Sequence, residues 1–363
     1  MPRPIILIAS SVLATVLSLA LHVFLHSPIS PRPLSLPSSR FSVNNLLKQV
    51  EKLGEGNLLG PEDTCVGKDG KLYTATRDGW IKRLHSNGSW ENWKMIGGSS
   101  LLGVTPSLNG DIIVCDADKG LLKVGDGGVT ILASEVEGTK IFFADDAIEA
   151  SDGIIYLSDA SSKFGLDEWF LDFLEAGSNG RLLKYDPSNG KTSIVVTNIS
   201  FANGVALSPD EDYLIFCETF RFRCMKYWLQ GEKKGTTEVF IDNLAGGPDN
   251  INLAPDGSFW IALIGLRSWW LDLLHQLPMA KLVVAAFPTA VDLSKPMRKG
   301  AMVVNVGADG KVRRELGDSD GRVMAFVTSA LEHEGHLYLG SLQTDFIGKL
   351  SIKEGKSSIT YND

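Results

Sequence analysis

Six times along this 363-residue chain, a short apolar segment runs into a tight turn that launches another strand. The turns fall at Gly70, Gly110, Gly153, Glu211, Gly257 and Gly335, spaced by 40, 43, 58, 46 and 78 residues. Asp-Gly, Asn-Gly and Glu-Gly pairs dominate them, and such pairs tolerate the positive φ that tight hairpins need. Several units continue into a third strand that carries a basic residue among apolar ones, as at Ile81–Leu84, Leu121–Val124 and Leu182–Tyr185. The shorter spacings match a four-stranded propeller blade of roughly 40–45 residues. No long amphipathic helix separates the units. The expected fold is therefore all-β: a six-bladed β-propeller with short helical insertions and an N-terminal transmembrane or signal helix. One blade cannot bury both of its faces, so neighbours stack and the ring closes. Residues 46–59 and a C-terminal strand at 346–361 are expected to complete one blade together.

The N-terminus is of a different kind. Ile5 to Leu25 is a 21-residue run without charge, interrupted only by Ser, Thr and His22. A spanning helix needs about 20 residues, whereas the apolar part of a signal peptide is usually about 7–15. Residues 1–26 are thus expected to be a signal anchor or signal peptide, residues 27–44 a Pro/Ser-rich linker, and residues 45–363 the propeller. Either reading sends the propeller into the secretory pathway, as a lumenal domain of the endoplasmic reticulum or vacuole. The acceptor tripeptides at Asn87 and Asn198 would then meet the glycosylation machinery. The four cysteines allow three pairings. Cys217 and Cys224, on adjoining strands of one hairpin, are the local pair, and buried free thiols are the alternative. A net charge of −8 with both signs dispersed argues against a nucleic-acid partner.

Counting eight residues back from each turn gives Glu62, Leu102, Asp145, Asn203, Asp249 and Val327. If the units are repeats, these positions converge on one axis, and four of the six carry side-chain oxygens. Carboxylates and amide oxygens without His or Cys are hard donors that select calcium. The expected ligands are Glu62, Asp145, Asn203 and Asp249, with Asn250 beside them. Without a cation, the carboxylates would be costly to keep ionised together. The other reading is a water-filled channel lined by polar groups.

The segments that carry these residues resemble a known family. FADDAIEASDGIIYLSDASSKF, NGRLLKYDPSNGKT, FANGVALSPDEDYLIFCET, GGPDNINLAPDGSFWIA and EHEGHLYLGSL look like the strictosidine synthase-like proteins of plants. They are also similar to the adipocyte plasma membrane-associated proteins and, more distantly, to the paraoxonases and gluconolactonases. The likeness covers about residues 45–352 and implies a six-bladed propeller. In the calcium-dependent lactonases of this superfamily, axial Glu, Asn, Asn and Asp side chains bind the ion. These fall on Glu62, Asp145, Asn203 and Asp249, with Asp145 departing from the usual Asn. The paraoxonase-type histidine base would fall at Leu102 and is absent, which leaves Asp146 or Asp249 as the candidate catalytic base. The glutamate that serves Pictet–Spengler condensation in strictosidine synthase is matched by Thr328, whose hydroxyl cannot act as that acid or base.

Two insertions, between Lys163 and Gly180 and between Leu266 and Gly300, carry apolar residues at helical spacing, among them Trp169, Phe170, Phe173, Trp269, Trp270 and Leu273. They are expected to cover one mouth of the channel, to lie in a membrane interface, or to pack as plain core. The resulting expectation is a calcium-assisted hydrolase acting on a small, fairly hydrophobic lactone or ester, held to a membrane by its N-terminal helix. A non-catalytic propeller, with the ion only stapling the ring, is the alternative.

Overall fold

The computed structural model describes residues 3–37, 44–287 and 300–352. Parts of two expected features, the linker at 38–43 and the C-terminal strand at 353–361, lie outside the described residues, as does Pro288. The chain divides into two compact units: one takes the N-terminal segment to Leu36, Asp167–Gly177 and the stretch from Ser268 through the second insertion, and the other takes the rest.

The larger unit is the six-bladed β-propeller, with six four-stranded sheets among the described residues. Their innermost strands are Thr64–Val66, Leu101–Pro106, Ala144–Glu149, Ala202–Leu207, Gly246–Leu253 and Val327–His333. Five sheets are built from strands consecutive in sequence, and the two insertions join the second strand to the third in the third and fifth of these blades. The sixth is completed from the other end of the sequence, where Glu51–Leu53 pairs antiparallel with Ile347–Ser351. That pairing closes the ring and leaves no blade face without a neighbour. The cores lie between the blades: Cys65, Tyr73 and Ile81 of the first blade pack with Val104, Val114 and Leu122 of the second.

The hairpin turns behave as their residues dictate. His333 pairs with His336 across Glu334 and Gly335, both at positive φ, which matches the right-handed strand twist. Glu211, the one turn position without glycine, also sits at positive φ, 53°. Cys217 and Cys224 face each other on adjacent strands and form a disulfide, while Cys65 and Cys115 are buried free thiols.

The smaller unit is helical. Its members are α1 (Arg3–His26), α2 (Trp169–Glu175), α3 (Trp269–Gln276) and α4 (Pro278–Ala285). The Pro/Ser stretch that follows α1 is pinned by backbone bonds: Arg32 N donates to Glu175 O at 3.0 Å and Leu34 N to His275 O at 2.9 Å. Among the described residues, no helix is long and apolar enough to cross a membrane. The side chains of α1 are described at Ile8 and from Ser10 onward.

Candidate metal centre

The inner strands are interrupted where the axial residues sit. Ladder register breaks between Leu101 and Val104, Ala144 and Ala147, Ala202 and Val205, Pro248 and Ile251, and Val327 and Ser329. A bulge leaves residues unpaired and re-aims their side chains. Asp145, Asn203, Asp249 and Asn250 each lie inside such a break, and Glu62 stands just before its strand.

Glu62, Asp145 and Asp249 each place one carboxylate oxygen so that all three lie within 4.8 Å of one another, and all three residues are buried. Asn250 Nδ2 donates to Glu62 Oε1 at 2.8 Å, and the Asn203 side chain hydrogen-bonds Asp249. Four buried oxygens remain without a hydrogen-bond partner: Glu62 Oε2, Asp249 Oδ2, Asn203 Oδ1 and Asn250 Oδ1. All four are acceptors. A buried acceptor left unsatisfied costs about 1–3 kcal/mol, so four in one place call for a shared donor or a cation.

Charge sharpens the point. At an effective dielectric of about 20, two carboxylates within 4.8 Å repel by about 3 kcal/mol or more. Three such pairs rival the 5–15 kcal/mol that holds a whole domain folded, at order-of-magnitude level. Accordingly, burial first and the neighbouring carboxylates second push Glu62 and Asp145 well above the usual carboxyl range. Burial does the same to Asp249, with the Asn203 hydrogen bond opposing it. The cluster either holds protons or holds a cation. Its donors are carboxylate and amide oxygens alone, the set that suits calcium, and the two remaining axial positions, Leu102 and Val327, are apolar and buried.

Asp146, expected as a candidate base, is differently engaged. Its Oδ1 accepts from Ala147 N at 2.7 Å and its Oδ2 from Val205 N of the next blade at 2.8 Å. Asp63, which the sequence reading passed over, does the same one blade pair earlier. Its Oδ1 accepts from Thr64 N and from the Ser329 hydroxyl, and its Oδ2 from Val104 N at 2.9 Å. Burial pushes Asp63 up to about 6 against those hydrogen bonds. The two aspartates clasp blade to blade. Thr328 joins them: fully buried, its hydroxyl donates to Glu62 O at 2.5 Å and ties the last blade to the first. One signal could have exposed these clasps, the alternation of Asp63, Gly103, Asp146 and Gly204 just after successive axial residues. A Cβ at Gly103 would lie 2.7 Å from Asp145 O, and one at Gly204 2.4 Å from Asp249 O, so only glycine fits there.

The two glycosylation tripeptides differ in setting. Asn87 is exposed in the turn between strands Trp80–Leu84 and Trp90–Met95, where its Oδ1 accepts from Ser89 N at 2.9 Å. Asn198 is exposed at the end of its strand, whereas Ser200 is buried.

Comparison with known proteins gives this geometry its relatives. The sequence pattern of the family described as strictosidine synthase matches residues 145–232, and that of the strictosidine synthase-like N-terminal region matches residues 39–84. Protein strictosidine synthase-like 4 of Arabidopsis thaliana is 37% identical, over 90% of this chain and 86% of its own length. The adipocyte plasma membrane-associated protein of Mus musculus is 34% identical, over 91% of this chain and 86% of its own. Among solved structures, a gluconolactonase from Xanthomonas campestris superposes with a TM-score of 0.60 at 14% identity, covering 89% of this chain and 98% of its own. Regucalcin from Agrobacterium tumefaciens, a calcium-binding protein, gives 0.54 at 17% identity, covering 83% and 92%. At such identities these two likenesses carry the fold alone.

Proposed function

The chain belongs to the strictosidine synthase-like family, and from that premise we propose that it is a calcium-assisted hydrolase of small, fairly hydrophobic lactones or esters. The observation that carries the reading is the buried cluster of Glu62, Asp145 and Asp249 with four acceptor oxygens lacking partners. Glu62, Asp145, Asn203, Asp249 and Asn250 would hold the ion. Calcium bound there would supply Lewis acidity, drawing electron density from an ester carbonyl.

The chain's own residues supply the rest. Asp249 is the base in this reading, because Oδ2 has no hydrogen-bond partner while both Asp146 oxygens accept backbone N–H groups. Asp249 takes a proton from water as the new C–O bond forms, and returns it to the alkoxide as the ester C–O bond breaks. Asn203 steadies Asp249 by hydrogen bond, and Asn250 orients Glu62. Asp63 and Asp146 hold the blades that present these groups. Condensation chemistry of the strictosidine synthase type is not part of the reading, since Thr328 is a buried clasp bonded to Glu62 O.

A second reading, a calcium-stapled propeller that binds without catalysing, is favoured by the same commitment of Asp146 and Thr328 to backbone. Turnover of an arylester and lactone panel by the full chain, with and without chelator, separates the two. Chelator-sensitive hydrolysis that Asp249→Asn abolishes supports the hydrolase. Calcium binding without any turnover supports the staple.

We further propose that the propeller is lumenal in the secretory pathway and that α1 anchors it in the bilayer. In support, every described α1 residue from Ser10 to His22 is exposed, Val12, Leu13, Val16, Leu17, Leu19 and Leu21 among them. The exposed stretch is uncharged and apolar except for Ser10, Ser11, Thr15, Ser18 and His22, and a helix so largely apolar belongs in hydrocarbon or a protein core.

A further inference from the structure

The insertion helices α3 and α4 are inside out. Apart from Gln276, their exposed positions are apolar: Trp269 at 78% exposure and Leu273 in α3, Leu277 at the junction, and Met279 at 70% and Val283 in α4. Trp269 and Leu273 stand four apart in α3, as Met279 and Val283 do in α4, the spacing of one face. The buried residues, by contrast, include His275 and Lys281. Both polar residues serve the unit's interior: Lys281 Nζ donates to Arg32 O at 2.8 Å, and the His275 ring stands 4.4 Å from the Phe173 ring, edge on. A helix pair folded in water alone would place these two sets the other way round.

We propose that this α3–α4 face lies in the headgroup region of a phospholipid bilayer, as an interfacial plate beside the anchor; the inference rests on the reading of α1 given above. Three observations commit it to lipid rather than to a protein. First, α1 is packed into the same unit by its C-terminal end, where Val23 is buried and His22 meets Phe287 at 5.2 Å. The bilayer that takes α1 therefore begins within one helical unit of the plate. Second, α1 is exposed on all faces up to that point, which a protein groove would not cover but hydrocarbon would. Third, the plate carries a protruding tryptophan with leucine and methionine around it, the composition of interfacial helices, where the indole ring sits at headgroup level. The strap from Ser30 to Leu34, bonded to Glu175 and His275, fixes the plate to the chain leaving the anchor.

The test uses the full chain reconstituted in phosphatidylcholine liposomes, some carrying lipid brominated near the glycerol end of its chains. Trp269 emission is isolated as the difference between the wild type and Trp269→Phe. The expected result is flotation with the liposomes, loss of the Trp269 component on brominated lipid, and its protection from aqueous acrylamide. The triple variant Leu273→Ser/Met279→Ser/Val283→Ser should still float through α1, with its circular dichroism unchanged, while the Trp269 component returns to acrylamide-quenchable. Flotation with Trp269 open to acrylamide and untouched by bromine overturns the inference and leaves the anchor standing. Protection from both quenchers also overturns it, in favour of a protein contact or a second copy. Failure to float removes the anchor and the inference together.

Discussion

Glu62 carries the energetic tension of the site in one side chain. Buried, bonded to Asn250 at one oxygen and to nothing at the other, it faces two further carboxyls. Replacing it with the neutral isostere, Glu62→Gln, has opposite effects in two buffers. In chelator, the variant should match or exceed the wild type in stability, because a repelling buried charge is gone. In calcium at a hundredfold excess over Kd, the wild type gains about 2.7 kcal/mol by mass action, and the variant does not. Thermal melts in both buffers check this. The same carboxyls set the pH response. Burial raises their pKa in the folded chain, so above about pH 4 the folded state holds more protons than the unfolded one. Metal-free stability is therefore highest in mild acid and falls as pH rises. The Asp63 share of the fall lies between about 4 and 6, and Glu62, Asp145 and Asp249 extend it upward. Calorimetry in chelator should show Tm declining over the interval above about pH 5. A rise over that interval contradicts the coupling.

At the scale of the strand, the offset of eight residues between turn and axis works because the regular ladder next to the hairpin starts at equivalent places. Those places are Val104, Ala147, Val205, Ile251 and Ser329 after a bulge, and Thr64 where the first inner strand begins. That regularity made Glu62, Asp145, Asn203 and Asp249 legible from sequence. The clasps were harder to read, because Asp63 and Asp146 act on backbone N–H groups of the next blade, and their one trace in the sequence is the alternation with Gly103 and Gly204. Asp146→Ala should leave the N–H groups of Ala147 and Val205 without acceptors, at about 1–3 kcal/mol each. Urea denaturation should show that loss equally with and without calcium. A loss seen only in calcium would make Asp146 a ligand rather than a clasp. The first-blade hairpin makes a separate prediction. Asn87 stands on an exposed turn, so expression through a secretory host should yield an endoglycosidase-sensitive mass that Asn87→Gln removes. An unchanged mass in the wild type contradicts the lumenal assignment of that turn.

For the molecule as a whole, ring closure is what turns six ordinary hairpins into a site. Glu51–Leu53, early in the sequence, joins Ile347–Ser351, and the Thr328 hydroxyl reaches Glu62 O across the same seam. The helices of the second unit were each visible as apolar spacing. Their union with the N-terminal segment was not, because backbone bonds such as Arg32 N to Glu175 O join them. The central claim is that blades far apart in sequence deliver oxygens to one cation. Calorimetric titration of the metal-free full chain with calcium, beside Glu62→Gln and Asp249→Asn, tests it most directly. The account predicts saturable binding in the wild type at about one ion per chain, with the ligand set of a single calcium site, and loss of that binding in both folded variants. Folded wild type that takes up no calcium, or variants that bind it as the wild type does, would contradict it.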